Sequence, residues 1–76
     1  MNGWNIRVMV TEEDGKPLFN FEEVYYDDIV PVASRNIITQ GSLLSDLEFL
    51  TQELTVALRK PKLWGDHRFP NEYKSI

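Results

Sequence analysis

Residues 4–21 read WNIRVMVTEEDGKPLFNF. Trp4, Ile6, Val8 and Val10 fall on alternate positions, with Asn5, Arg7 and Met9 between them. That period of two is the mark of a half-buried strand, because successive side chains leave a strand on opposite faces. Asp14-Gly15 follows, and Asp-Gly supplies the positive φ that a tight hairpin turn demands. Beyond it Phe19 and Phe21 share one face. The pattern predicts a hairpin of two antiparallel strands, entered on its second strand through Pro17, a position that needs no donated hydrogen bond.

The second strand runs to FEEVYYDD, residues 21–28. Counting by two from Phe21 puts Glu23 and Tyr25 on the phenylalanine face, with Val24 and Tyr26 opposite. The apolar parity therefore switches near Glu22-Glu23. Two arrangements accommodate that switch: a β-bulge, which inserts one residue and resets the parity, or a sheet covered on both sides at this end. Asp27-Asp28 predicts a second turn. IVPVAS, residues 29–34, reads as a third strand, and Pro31 places it at an edge or a bend. Ile37 and Ile38 extend it past a kink. Ser42 is the expected helix N-cap, with Asp46 complementing the dipole in the first turn. Leu43, Leu47, Leu50, Leu54, Ala57 and Leu58 then form one stripe at spacings of three and four. Arg59 and Lys60 close the helix and Pro61 ends it.

The expected fold is α+β. It is a three-stranded antiparallel β-meander with one α-helix packed on one face, a two-layer sandwich, in a single domain over residues 1–63. Residues 64–76 make a partly ordered C-terminal tail in which Trp64, Phe69 and Tyr73, following Leu63, are spread among polar residues.

With 76 residues and no cysteine, disulfides and thiolate metal sites are excluded, and so small a core commonly gains stability from a partner. His67 stands alone, no calcium-loop spacing is present, and no cofactor or metal is expected. Residues 1–28 carry two basic and seven acidic side chains, a net of −5, and the remainder carries six and five. An acidic chain repels phosphate, so nucleic acid is not an expected partner. No apolar run is long enough to span a membrane and the N-terminus lacks signal-peptide character, so the expectation is a cytoplasmic, soluble protein.

The pattern W-N-x-R-V, then D-G, then F-x-x-x-E-V-Y-Y-D resembles a family of very short bacterial proteins of unknown function. Trp4, Asn5, Arg7, Val8, Asp14, Gly15, Phe19, Glu23, Val24, Tyr25, Tyr26 and Asp27 carry it. Leu44, Leu47, Leu54, Leu58, Lys60-Pro61 and Leu63 extend the resemblance across residues 4–63. After Y-Y-D the family has a Gly-containing turn and an aromatic third strand, where this chain has Asp28-Ile29-Val30-Pro31-Val32. The resemblance implies no activity and no catalytic residues. Its layout of three strands and a helix is similar to HicB-type antitoxin domains, a likeness of architecture alone.

Glu22 and Glu23 are strand neighbours and point apart, so they cannot chelate together. Asp27 and Asp28 are turn residues, and no serine has a histidine at a triad spacing, so no catalytic residue is assigned. Glu23 shares an aromatic face and needs a partner; Arg7 on the neighbouring strand is the expected one, as a structural ion pair. Met9, with Tyr25 or Tyr26, is expected on an open sheet face. Phe49 and Val56, seven residues apart, lie nearly opposite the leucine stripe, to be covered by the Trp64–Phe69 tail or by another subunit. These five are the candidate partner-binding residues. The expected function is a non-enzymatic protein–protein interaction module that forms a homodimer. The alternative is an antitoxin-like or phage or host inhibitor protein that offers an acidic surface to a basic protein partner.

Overall fold

A computed structural model describes residues 2–37 and 43–74. Strand β1 (Asn2–Glu13) turns through Asp14 and Gly15 into β2 (Lys16–Asp27). Both turn residues have positive φ, 53° and 76°, the pairing required of a two-residue turn whose twist matches its strands. The two strands stay in register without interruption from Glu13↔Lys16 to Asn2↔Asp27. Asp28 (φ 58°) makes the second turn with Ile29, so Asp27 is the last residue of β2 and not part of the turn. Asp accepts the left-handed conformation because its short side chain bonds locally.

Strand β3 (Val30–Asn36) pairs antiparallel with β2 and forms one edge of the sheet, where Pro31 costs no ladder bond. Tyr25 pairs with Ala33 but Tyr26 pairs with Pro31. The extra residue is Val32, so the bulge lies in β3, and β2 passes Glu22-Glu23 unbroken. The parity switch in β2 is met by the other arrangement, cover on both faces.

Helix α1 (Leu44–Arg59) lies over β1. The Leu43 N–H donates to the Asp46 carboxylate at 3.1 Å, closing the first turn. Ser42, the expected cap, Ile38 and the polar segment 39–42 lie outside the described residues. Lys60 is extended (φ −90°, ψ 156°), as a residue before proline must be, and the helix stops there.

The chain then returns to the sheet. Leu63–Trp64 forms β4, parallel to β1, through the pairs Met9↔Leu63 and Val10↔Trp64. The sheet order is β3-β2-β1-β4. The expected three-stranded antiparallel meander is therefore a four-stranded sheet of mixed direction. The reason is the free edge of β1: the Gly65 N–H reaches the Val10 carbonyl at 2.8 Å, and a bare row of buried backbone groups would otherwise remain.

Alternation assigns the faces. Ile6, Val8 and Val10 are buried beneath the helix. On the opposite face Met9, Val24 and Leu63 form a second buried cluster, with Tyr26 and Phe69 packed against it. A Cβ on Gly65 would stand 3.4 Å from that of Met9, so the tail backbone presses directly on the sheet. The tail holds itself in place with Trp64 N–H to Asn71 O at 2.9 Å and Tyr73 N–H to Lys62 O at 2.8 Å. The sheet thus has a helix on one side and Phe69 of the tail on the other, while Tyr73 turns edge to face with both Trp64 and Phe19 at the margin of the helix side.

Candidate functional site

Helix α1 buries only Ala57 and half-buries Leu50, Glu53 and Leu54 among its described residues. The buried line is turned away from the centre of the leucine stripe. Leu44, Leu47 and Leu58 are left exposed on one flank. On the other, Phe49 is 56% and Val56 45% exposed. The tail does not cover these two; it packs Phe69 against Met9 on the opposite side of the sheet. Thr51 and Thr55 donate their hydroxyls to the carbonyls of Leu47 and Thr51, which satisfies them within the helix.

Below the helix N-terminus is a half-enclosed cleft of about 200 Å³, bordered by Trp4, Ile6, Glu23, Asp46, Phe49 and Glu53 among others. Trp4 stands half exposed at its margin. Two aromatic rings and three carboxylates line one concavity, a combination suited to a cationic group, which gains from both ring faces and negative charge.

Glu23 sits at the floor of this cleft with its side chain 16% exposed. The Tyr25 hydroxyl donates to its Oε1 at 2.5 Å, and Arg35 Nε reaches the same oxygen at 3.0 Å. The Arg35 guanidinium also lies 5.5 Å from the Tyr25 ring centre. The tyrosine hydrogen bond first, and then Arg35, hold the Glu23 carboxyl below the usual carboxylate range against the opposing effect of burial. The same hydrogen bond raises the Tyr25 phenol.

The expected Arg7–Glu23 pair does not form. Register places Arg7 across from Glu22 and Ile6 across from Glu23, so Arg7 and Glu23 leave opposite faces of the sheet. Arg7 instead donates to the Tyr26 hydroxyl at 2.9 Å and the Pro61 carbonyl at 2.6 Å, while Tyr26 donates to Asn5 Oδ1 at 2.8 Å. Arg7 ties the helix exit to the sheet. Arg35, the partner Glu23 does find, is its direct cross-strand neighbour in β3. Counting back across the second turn brings Arg35 near Glu23, and the Val32 bulge sets the final register.

Met9 is not on an open face. It is 1% exposed and among the largest fully buried side chains. Sheet alternation gives it the face opposite Val8, as expected, but β4 and Phe69 occupy that face. Tyr26 packs at the edge of the same cluster, and Tyr25 lies on the helix side. The five candidate residues therefore do not form one surface. Phe49 and Val56 share an exposed helix flank, Tyr25 joins the Glu23 cluster, and Met9 and Tyr26 belong to the second core.

Among the described residues no group of three or more His, Asp or Glu side chains is placed to hold a metal ion, and no helix is long and apolar enough to cross a membrane. Set beside known proteins, the chain matches no family model, no curated protein and no solved structure.

Proposed function

We propose that this protein is a non-enzymatic interaction module that self-associates as a homodimer through the outer surface of α1. The observation that carries this reading is the exposure of Phe49 and Val56 on a helix that already has its other side on the sheet. Exposed aromatic and aliphatic side chains grouped on one element are the usual composition of a contact surface. The state of Glu23 favours binding over chemistry. A carboxyl held below its ordinary range by Tyr25 and Arg35 is poorly matched to proton transfer near neutral pH. The test is mass by light scattering across a concentration series. The native chain gives a dimer, and Phe49→Glu with Val56→Glu gives a folded monomer. A native chain that stays monomeric at high concentration removes the reading.

A second reading, an inhibitor or antitoxin-like protein that docks on a basic partner, is supported by the cleft of Trp4, Phe49, Glu23, Asp46 and Glu53. It predicts a partner released by salt and lost with Glu53→Lys; retention through high salt counts against it.

A further inference from the structure

We propose that the two copies pack α1 against α1 in antiparallel order, about a two-fold axis that passes between them at the level of Gln52 and Glu53. This rests on the self-association reading and adds the arrangement. Two independent features of α1 point to the same axis. The first is apolar. At 100° per residue, Phe49 and Val56 lie within about 20° of each other on the helix surface, almost two turns apart. Their midpoint falls between Gln52 and Glu53. An antiparallel partner therefore sets Phe49 over Val56 of the partner subunit, and Val56 over the partner's Phe49, in one repeated contact.

The second feature is charge. Glu48 and Arg59 are both exposed, and among the described residues neither forms an ion pair within the chain. They also lie within about 20° of each other, three turns apart, on one margin of the Phe49–Val56 strip. Their midpoint falls within a residue of the apolar one. The axis that stacks the apolar side chains therefore brings Glu48 to Arg59 of the partner subunit, and does so twice. More broadly, Asp46 and Glu48 stand on the N-terminal side of that midpoint, and Arg59 and Lys60 stand at the other end. Antiparallel order sets unlike ends together. Parallel order would leave Glu48 and Arg59 of the two copies on opposite margins and three turns apart, so only antiparallel order pairs them.

The absence of native cysteine makes single-site crosslinking clean. In the full chain, Gln52→Cys places two thiols beside the axis, within reach of a disulfide, whereas Ser45→Cys places them roughly 20 Å apart along the helices. Mild oxidation is expected to link Gln52→Cys copies and leave Ser45→Cys copies unlinked. Glu48→Arg is expected to weaken the dimer roughly tenfold at low salt, and Arg59→Glu in the same chain to restore it, because the two pairs are then reversed together. Linkage at Ser45→Cys overturns the antiparallel order. Linkage at Thr51→Cys in place of Gln52→Cys moves the interface to the leucine flank. Both results overturn this arrangement while leaving self-association standing; a native chain without any dimer by mass removes both.

Discussion

The guanidinium carbon of Arg68 lies 3.2 Å from the centre of the Trp64 ring, stacked on its face. The same side chain donates to Asp66 at 2.6 Å and to Glu12 at 2.7 Å. Glu12 belongs to the far end of β1, so one residue fastens the C-terminal strap to the first hairpin. Arg68→Met keeps the aliphatic stem and removes the charge. Amide exchange at Trp64 and Gly65 is expected to accelerate roughly tenfold, with Ile6 and Val8 unchanged. Equal acceleration across the sheet would show that the strap does not open by itself.

Acid should loosen the same contact. Arg68 holds Asp66 well below the ordinary carboxyl value of 3.8 through side-chain and backbone hydrogen bonds. A carboxyl with a lowered folded-state pKa binds fewer protons folded than unfolded, so its stabilisation is complete above its unfolded value and fades as pH falls through the folded one. The expected outcome is a flat midpoint for thermal unfolding between about pH 5 and 8 and a decline below about pH 4. Asp66→Asn should lower the plateau and flatten that decline, as read by scanning calorimetry.

Met9→Ala removes a fully buried side chain from between the sheet and the strap. A cost of about 2–5 kcal/mol is expected from the lost transfer energy and the cavity left behind. Urea unfolding at constant slope measures it. A cost below about 1 kcal/mol would mean that the second face collapses around the gap.

Gly15 occupies the left-handed region at the tip of the first hairpin, φ 76°, with open space around it. Gly15→Val meets no clash, so its whole effect is backbone strain, about 1–2 kcal/mol. Asp28→Asn, at the second turn, keeps a side chain that tolerates the same conformation and should leave stability unchanged in the same denaturation assay.

Tyr25→Phe deletes the hydroxyl that contributes most to the lowered Glu23 pKa. The Glu23 carboxyl is expected to titrate closer to the ordinary range, short of reaching it, because Arg35 remains. Carboxyl-carbon NMR across pH 2.5 to 6, a window of roughly two units around the reference value, follows this directly.

Much of this architecture is written in short-range signals. Alternation from Trp4 to Val10, Asp14-Gly15, Pro31, the leucine spacing and Pro61 each act on their own neighbours, and each element formed where its residues put it. Strand β4 is different. Two residues, Leu63 and Trp64, carry no period, and their pairing with Met9 and Val10 is parallel and distant in sequence. Nothing local marks them as strand. Alternation alone gives Met9 its face, but the cover that buries it, β4 and Phe69, has no local signal. The register that separates Arg7 from Glu23 is legible in the turn: two residues at Asp14-Gly15 set Glu13 across from Lys16, and counting outward brings Arg7 to Glu22. For the surface, the helical wheel separates Phe49 and Val56 from the stripe, but it does not give the roll of α1 on the sheet, which depends on packing over β1.

The Met9–Leu63 pairing has a consequence for how the protein is made. Strand β1 leaves the ribosome dozens of residues before the segment that seals its second edge. Until Leu63 arrives, the nascent hairpin displays an unpaired backbone rail beside apolar side chains, the situation in which growing chains associate wrongly. Synthesis that stalls within the helix would therefore release a sticky product, and the few residues after Pro61 act as the closure that makes the finished chain safe in company.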